Sequence, residues 1–267
     1  MSTDDLGADR LTAALDTRWL GREYVFLSAC GSTSDEVSER AAMGAKEGLV
    51  VVTDQQSKGR GRRGRSWHSP PGENLYFSLL LRPALAPHQV APMTLLAGAA
   101  LAQALAGLGF APRLKWPNDL LLESSTGLCK AAGILAEMAT EAGQVRHVIL
   151  GVGINVNTQD FPAELARQAT SLARIRGENI ARLAVLAGFL RTFETRYEEF
   201  LAKGPASALA AWQTFALLGQ DCSVESGSQR LEGIAEAVDE SGALLMRTAD
   251  GRLVPVHAGE INWRKAQ

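Results

Sequence analysis

Gly59-Arg60-Gly61-Arg62-Arg63-Gly64-Arg65-Ser66-Trp67 is the stretch on which the reading of this chain turns. With Lys58 it places five cations in eight residues, and the nearest acids are Asp54 and Glu73. Each arginine offers a planar fork of donors matched to carboxylate or phosphate. The glycines between them let the main chain come close to a ligand. Such a loop suits the capture of a small anion. A flexible basic loop, or one that touches RNA, accounts for the same residues, so the loop alone does not decide.

The rest of the composition narrows the choice. The chain has 267 residues, 46% hydrophobic and 21% charged, with a net charge of −2. That length suits one large domain and a small one. The basic loop is local, which weighs against nucleic-acid binding, since nucleic-acid binders usually show a wider basic face. Cys30, Cys129 and Cys222 are odd in number and scattered, which points to a reducing cytoplasm and away from a disulfide framework or zinc site. His68, His88, His147 and His257 lack metal-ligand spacing, so no protein metal site is expected. Asp4, Asp5 and Asp9 near the start are unlike a signal peptide. The apolar run Met93 to Leu108 reads as too short for a bilayer and hence as a buried helix; no membrane partner is expected.

Working outward from the loop, Leu49 to Thr53 is a β-branched run that predicts a buried strand leading into it. Upstream, Tyr24 to Ala29 predicts another strand. A helix then follows, capped by Ser34, with Asp35 and Glu36 in its first turn, and ends at Gly48. Downstream, Asn74 to Arg82 predicts a strand and residues 87–108 a helix. Arg113 to Leu122 reads as strand, tight turn, strand, with Asn118 and Asp119 in the turn. Cys129 to Met138 and Val145 to Val156 predict two strands joined by a turn over Ala139 to Gln144. Residues 161–172 read as irregular or a short helix. Asn179 to Ala202 has helical spacing at Leu183, Leu186, Leu190, Phe193, Tyr197 and Leu201, and Pro205 opens a further helix to Leu217. From Gly219 onward, four short strands between Gly- and Asp-rich turns predict a small all-β unit.

The chemistry these residues offer is a site for a nucleotide and a carboxylate. Taken singly, Asn118 and Asp119 suit any turn, Ser32, Thr33 and Ser34 suit a helix cap, and Lys130 suits a strand lysine reaching solvent. G-x-x-x-x-G-K-[ST] is absent, and the glycine loop does not open a helix, which excludes the common phosphate-binding fingerprints.

Together, Gly31-Ser32-Thr33, Gln56 with the arginine loop and Trp67, Asn74-Leu75-Tyr76, Lys115 to Leu120, Lys130 to Leu135, Gly151 to Asn155, Gly242-Ala243-Leu244 and Gly259-Glu260-Ile261 resemble the biotin protein ligases, in the family's order over about residues 26–263. The resemblance implies an α+β fold. A central mixed β-sheet domain of the class II aminoacyl-tRNA synthetase and biotin ligase kind (1–216) precedes a small SH3-like β-barrel (217–267). It implies ATP, with magnesium, as co-substrate, biotin as substrate, and a biotin carboxyl carrier protein as acceptor. It assigns Ser32, Thr33, Ser34 and Gln56 to the biotin ureido head, with Ser34 standing where the family usually has Asn. Arg60, Gly61 and Arg62 would close over the carboxylate and phosphate, and Arg63 and Arg65 would meet ATP phosphates. Trp67 would pack on adenine, Asn118 and Asp119 would contact nucleotide or magnesium, and Asn155 would touch adenine or ribose. Lys130, with Arg62 and Asp119, would carry the chemistry.

Two rivals remain. A lipoate or octanoate ligase or transferase shares the general fold, and the octanoyl transferases use a cysteine. A non-enzymatic regulator could bind biotinyl-AMP or RNA through the basic loop. With about 25 residues before the catalytic unit, no DNA-binding domain is expected, and a monomer or a homodimer is expected in the cytoplasm.

Overall fold

The computed structural model describes residues 6–226 and 229–263; the outer ends of the two expected units, including Asp4 and Asp5, lie outside it. The element order is α1 (Ala8–Ala14), β1 (Tyr24–Leu27), α2 (Thr33–Ala42), β2 (Val50–Thr53), β3 (Leu75–Leu81), α3 (Pro92–Gly107), β4 (Arg113–Lys115), β5 (Asp119–Ser124), β6 (Gly127–Glu141), β7 (Gln144–Ile154), α4 (Leu172–Arg176), α5 (Arg182–Lys203) and α6 (Pro205–Gln213). These are followed by β8 (Gln220–Ser226), β9 (Gln229–Val238), β10 (Leu244–Arg247), β11 (Leu253–Val256) and β12 (Glu260–Trp263).

The first seven strands form one mixed sheet in the order β1-β2-β3-β7-β6-β5-β4, parallel only between β1 and β2. Its back face carries Phe77, Leu79, Leu150, Val152, Ala132 and Ile134, all buried. Side chains alternate across a strand, so these residues meet the helices behind. Helices α3 and α5 cover them: α3 packs against β4, β5 and β6 and against α5, and Phe189 of α5 meets Phe77 edge-on with ring centroids 5.3 Å apart. The apolar stripe of α5 is rotated from the expected one: Leu201 is exposed, and Phe189 and Phe200 are buried instead.

On the front face, α2 shields one corner through Val37 and Ala41 against Leu49, Val51, Leu80 and Ile149. The remainder of that face is left open. This is where the site forms.

Several boundaries differ from expectation. Helix α2 begins at Thr33 with Ser32 at its N-cap, so Ser34 lies inside the first turn, and it ends at Ala42, well before Gly48. The β6–β7 turn shrinks to Ala142 and Gly143, both with positive φ, because the strands stay paired out to Glu141 and Gln144. The stretch Pro87–Gly107 is long and apolar enough to cross a membrane, contrary to the length argument from sequence, but 72% of its apolar window is buried inside the protein. It is a core helix for reasons of packing and not of length.

The C-terminal unit is also corrected. Its five strands lie in the order β11-β10-β9-β8-β12. β11 and β12 occupy opposite edges and do not pair, so the described residues make an open antiparallel sheet where a closed barrel was expected. The connection from α6 runs beside β4, where Leu114 N–H donates to Phe215 O and Leu217 N–H donates to Leu114 O. Trp116 Nε1 donates to Gly242 O at 2.9 Å. These bonds seat the small sheet against the end of the large one, next to the arginine loop.

Candidate active site

The open front face holds a cavity of about 430 Å³. Its floor is made by glycines. Gly133 of β6 and Gly153 of β7 are direct cross-strand partners, and Gly151 lies two residues before Gly153. A Cβ at Gly153 would sit 2.6 Å from the Trp67 indole, and one at Gly133 2.9 Å from it. The indole therefore lies in a groove that any side chain on these residues would fill.

One end of the groove is polar. Ser78 of β3 pairs with Gly151 and is wholly buried. Its Oγ lies 2.8 Å from Thr33 Oγ1 and 3.2 Å from Ser34 Oγ. Gln56 Oε1 accepts from Thr33 N–H at 3.0 Å, and Gln56 Nε2 donates to Ser69 Oγ at 3.2 Å. The expected cluster of Ser32, Thr33, Ser34 and Gln56 is thus brought together, with Ser32 also buried at the helix start. Ser78 was not anticipated from sequence; a lone hydroxyl in the buried run Leu75–Leu81 was the available signal, since buried polar groups need partners.

The other end is charged. Lys130 Nζ lies 2.6 Å from Asp119 Oδ1 and 5.2 Å from the Trp67 ring centroid. Trp67 Nε1 is buried and takes part in no hydrogen bond, whereas Asp119 Oδ1 is engaged by the Lys130 ammonium. After β7 ends at Ile154, residues 168–170 take over beside β6: Lys130 N–H donates to Gln168 O, and Thr170 N–H donates to Lys130 O. Asn155 Nδ2 donates to Thr170 O at 3.1 Å. Its side chain is buried in holding this segment, although it also borders the cavity.

The arginine loop spans the cavity from above. Arg60 pairs with Glu137 at 2.8 Å and Asp35 at 3.0 Å, and its main chain bridges to Ser66. Arg62 Nη1 donates to Asn118 Oδ1 and to Gly259 O, each at 3.3 Å. Burial lowers the pKa of the Arg62 guanidinium, with Arg63 adding to the effect. Arg63, at φ 57°, donates to Glu225 O at 3.0 Å. Arg65 pairs with Glu260 through two nitrogens, one at 3.0 Å. Three of the four arginines are therefore held by the C-terminal sheet, a contact that strand β12, missed in the sequence, makes possible.

Neither Cys30 nor Cys129 is placed as an activated thiol. Burial pushes the Cys30 thiol above its usual pKa, and Cys129 is buried with Ser124 Oγ and Arg167 O around its sulfur.

This geometry has counterparts among known proteins. The model of the Biotin/lipoate A/B protein ligase family matches residues 31–155, and that of the Biotin protein ligase C terminal domain matches residues 217–262. The chain is 37% identical over 250 residues to the Bifunctional ligase/repressor BirA of Bacillus spizizenii, spanning 92% of this chain and 76% of the relative. It is 33% identical over 270 residues to the Biotin--[acetyl-CoA-carboxylase] ligase of Mycobacterium tuberculosis, spanning 95% and 97%. The solved structure of the biotin protein ligase from Aquifex aeolicus in complex with biotin and ATP aligns with a TM-score of 0.77 at 29% identity, covering 92% of this chain and all of the other.

Proposed function

This chain belongs to the biotin protein ligase family, and we propose on that premise that its cavity activates biotin with ATP and passes it to a lysine of a biotin carboxyl carrier protein. One observation supports this most. A single glycine-floored groove runs from the buried hydroxyls of Thr33, Ser34 and Ser78 to the Lys130–Asp119 pair. From Gly151 to Asn155 it covers four residues of extended chain, about 13 Å, a length suited to an elongated acid with a polar head.

In this reading the ureido head of biotin meets Thr33, Ser78 and Gln56, and its carboxylate reaches Lys130. The carboxylate oxygen attacks the α-phosphorus of ATP, pyrophosphate leaves, and biotinyl-5′-AMP stays under the loop. The acceptor amine then attacks the acyl carbon and AMP departs. Two anions must meet in the first step, so the site's work is charge neutralisation and positioning, and one well-placed donor in such a site contributes about 3 kcal/mol. Lys130 and Arg62 supply that charge, while Arg63 and Arg65 meet the phosphates and Trp67 the base. Magnesium would enter with ATP. It commonly binds one or two carboxylates plus substrate phosphates, and the Asp119 carboxylate on the cavity wall, paired with Lys130, is the one that would meet it.

The test is transfer. Labelled biotin, ATP and a carrier domain are incubated with the purified chain. Labelling of the carrier that vanishes when its acceptor lysine is changed to arginine supports the reading, and an unlabelled carrier in the presence of folded enzyme overturns it.

A further inference from the structure

We infer that Arg60 is a positioning residue and not a ligand of the carboxylate: with Asp35 and Glu137 it straps the arginine loop down over the head end of the groove, and so slows the escape of the bound acid and its adenylate. This rests on the adenylation reading given above.

Three side chains make the strap. Arg60 Nη2 meets Glu137 Oε2 at 2.8 Å and Asp35 Oδ1 at 3.0 Å. One nitrogen thus bridges acids from two separate elements, the first turn of α2 and the outer half of β6. Glu137 pairs across the sheet with Ile149, two residues before Gly151. It therefore lies outward of the Thr33, Ser34 and Ser78 hydroxyls, which gather at Gly151. Lys130 stands toward the opposite end of β6. With one residue between them taken up by a bulge, about 20 Å of strand separates Lys130 from Glu137. An arginine seated on Glu137 does not reach the carboxylate that Lys130 meets.

The other ties divide the loop in two. Arg62, Arg63 and Arg65 are fastened to Gly259, Glu225 and Glu260 of the C-terminal unit. Among the described residues, Arg60 is the loop arginine that pairs with the head-end wall. The loop is stiffened from within: Arg60 and Ser66 bridge, and Gly61 N–H donates to Arg65 O. Arg60 borders both the main cavity and a shallower hollow walled by Leu135 and Glu137, which puts its side chain at the mouth between them. A stiff flap fastened in this way opens at the head end by breaking the two Arg60 pairs. The three side chains are 41%, 54% and 37% exposed, so each pair changes an equilibrium by up to about fivefold. That suits a strap which opens on every turnover.

The experiment measures escape of the intermediate. Labelled biotinyl-5′-AMP is formed on the chain from labelled biotin and ATP with pyrophosphatase, then chased with excess unlabelled synthetic biotinyl-5′-AMP. The parent is compared with Arg60→Glu, with Asp35→Asn plus Glu137→Gln, and with Arg60→Glu plus Asp35→Asn plus Glu137→Arg. The last rebuilds one pair with its charges exchanged. The first two should release label about five- to tenfold faster than the parent, and the exchanged pair should return to within about threefold of it. In Asp35→Asn plus Glu137→Gln, biotin-dependent pyrophosphate exchange at saturating biotin and ATP should stay within about twofold of the parent, with the KM for biotin raised. An exchanged pair that releases label as fast as Arg60→Glu overturns the strap, because it means that Arg60 acts on the ligand directly. Release no faster than the parent in Asp35→Asn plus Glu137→Gln overturns it too. A parent that forms no adenylate overturns the adenylation reading and the strap with it, and is seen without any variant.

Discussion

Lys130 Nζ meets Asp119 Oδ1 at 2.6 Å because β6 carries one residue more than β5 between their paired positions. Gly133 pairs with Asp119 and Ala132 with Leu120, but Lys130 pairs with Leu121, leaving Ala131 as the extra residue. In a regular strand Lys130 would share the back face with Ala132 and Ile134, in the apolar core. The bulge turns it to the front, a common use of bulges beside active sites.

Changing Lys130 to alanine should slow the biotin-dependent exchange by about 100- to 1,000-fold. Its side chain is one-third exposed, at 33%, and part-exposed ion pairs contribute little to folding, about 1 kcal/mol or less. The melting temperature should therefore barely move.

Ser78→Ala removes the hydroxyl shared by Thr33 and Ser34. A lost net hydrogen bond of about 1 to 1.5 kcal/mol corresponds to roughly tenfold weaker biotin binding by calorimetry. ATP binding should be unaffected, because Ser78 lies at the head end of the groove. Equal weakening of both ligands would place the head group elsewhere.

Asp54 and Arg182 form a buried pair at 2.7 Å, with side chains 4% and 2% exposed. The pair ties the end of β2, just ahead of the loop, to the start of α5. Asp54→Ala leaves a buried guanidinium without this carboxylate and should cost about 3–5 kcal/mol in urea denaturation. A loss below about 1 kcal/mol would mean that the guanidinium is satisfied without Asp54.

The hydrogen bond from Arg65 holds the Glu260 carboxyl below its usual pKa, helped by the charges of Arg65, Lys115 and Arg63 and opposed by burial. The unfolded chain therefore takes up this proton first as pH falls. The stabilisation is complete above the free glutamate value of about 4.3 and is lost as pH drops through the lower native value. Parent and Glu260→Gln should differ in urea stability near neutral pH and converge in acid. The difference should stay under about 1 kcal/mol, because the Arg65 side chain is 65% exposed.

The sequence made the ligands of the site legible but not the means that bring them together. The arginine loop, the Asn118-Asp119 turn and Lys130 stand out because charge is rare around them. The bulge at Ala131 leaves no mark, since alanine suits either face of a strand. Ser78 is hidden because both faces of β3 are covered, so its run reads as uniformly apolar. Residues 168–170 carry no strand pattern and pair only because β7 ends early. Strand β12 offers only Ile261 and Trp263 as apolar residues, and without it the contact between Glu260 and Arg65 cannot be read. The open edge between β11 and β12 was equally invisible, since short alternating strands fit a barrel and a sheet alike.

The central claim is that the groove beneath the arginine loop adenylates biotin. The most direct measurement is exchange of labelled pyrophosphate into ATP by the purified chain, with biotin, lipoate or octanoate as the acid. Exchange that requires biotin, and that neither lipoate nor octanoate supports, is the predicted result. Exchange with lipoate but not biotin, or with no acid at all while the protein is folded, would contradict it.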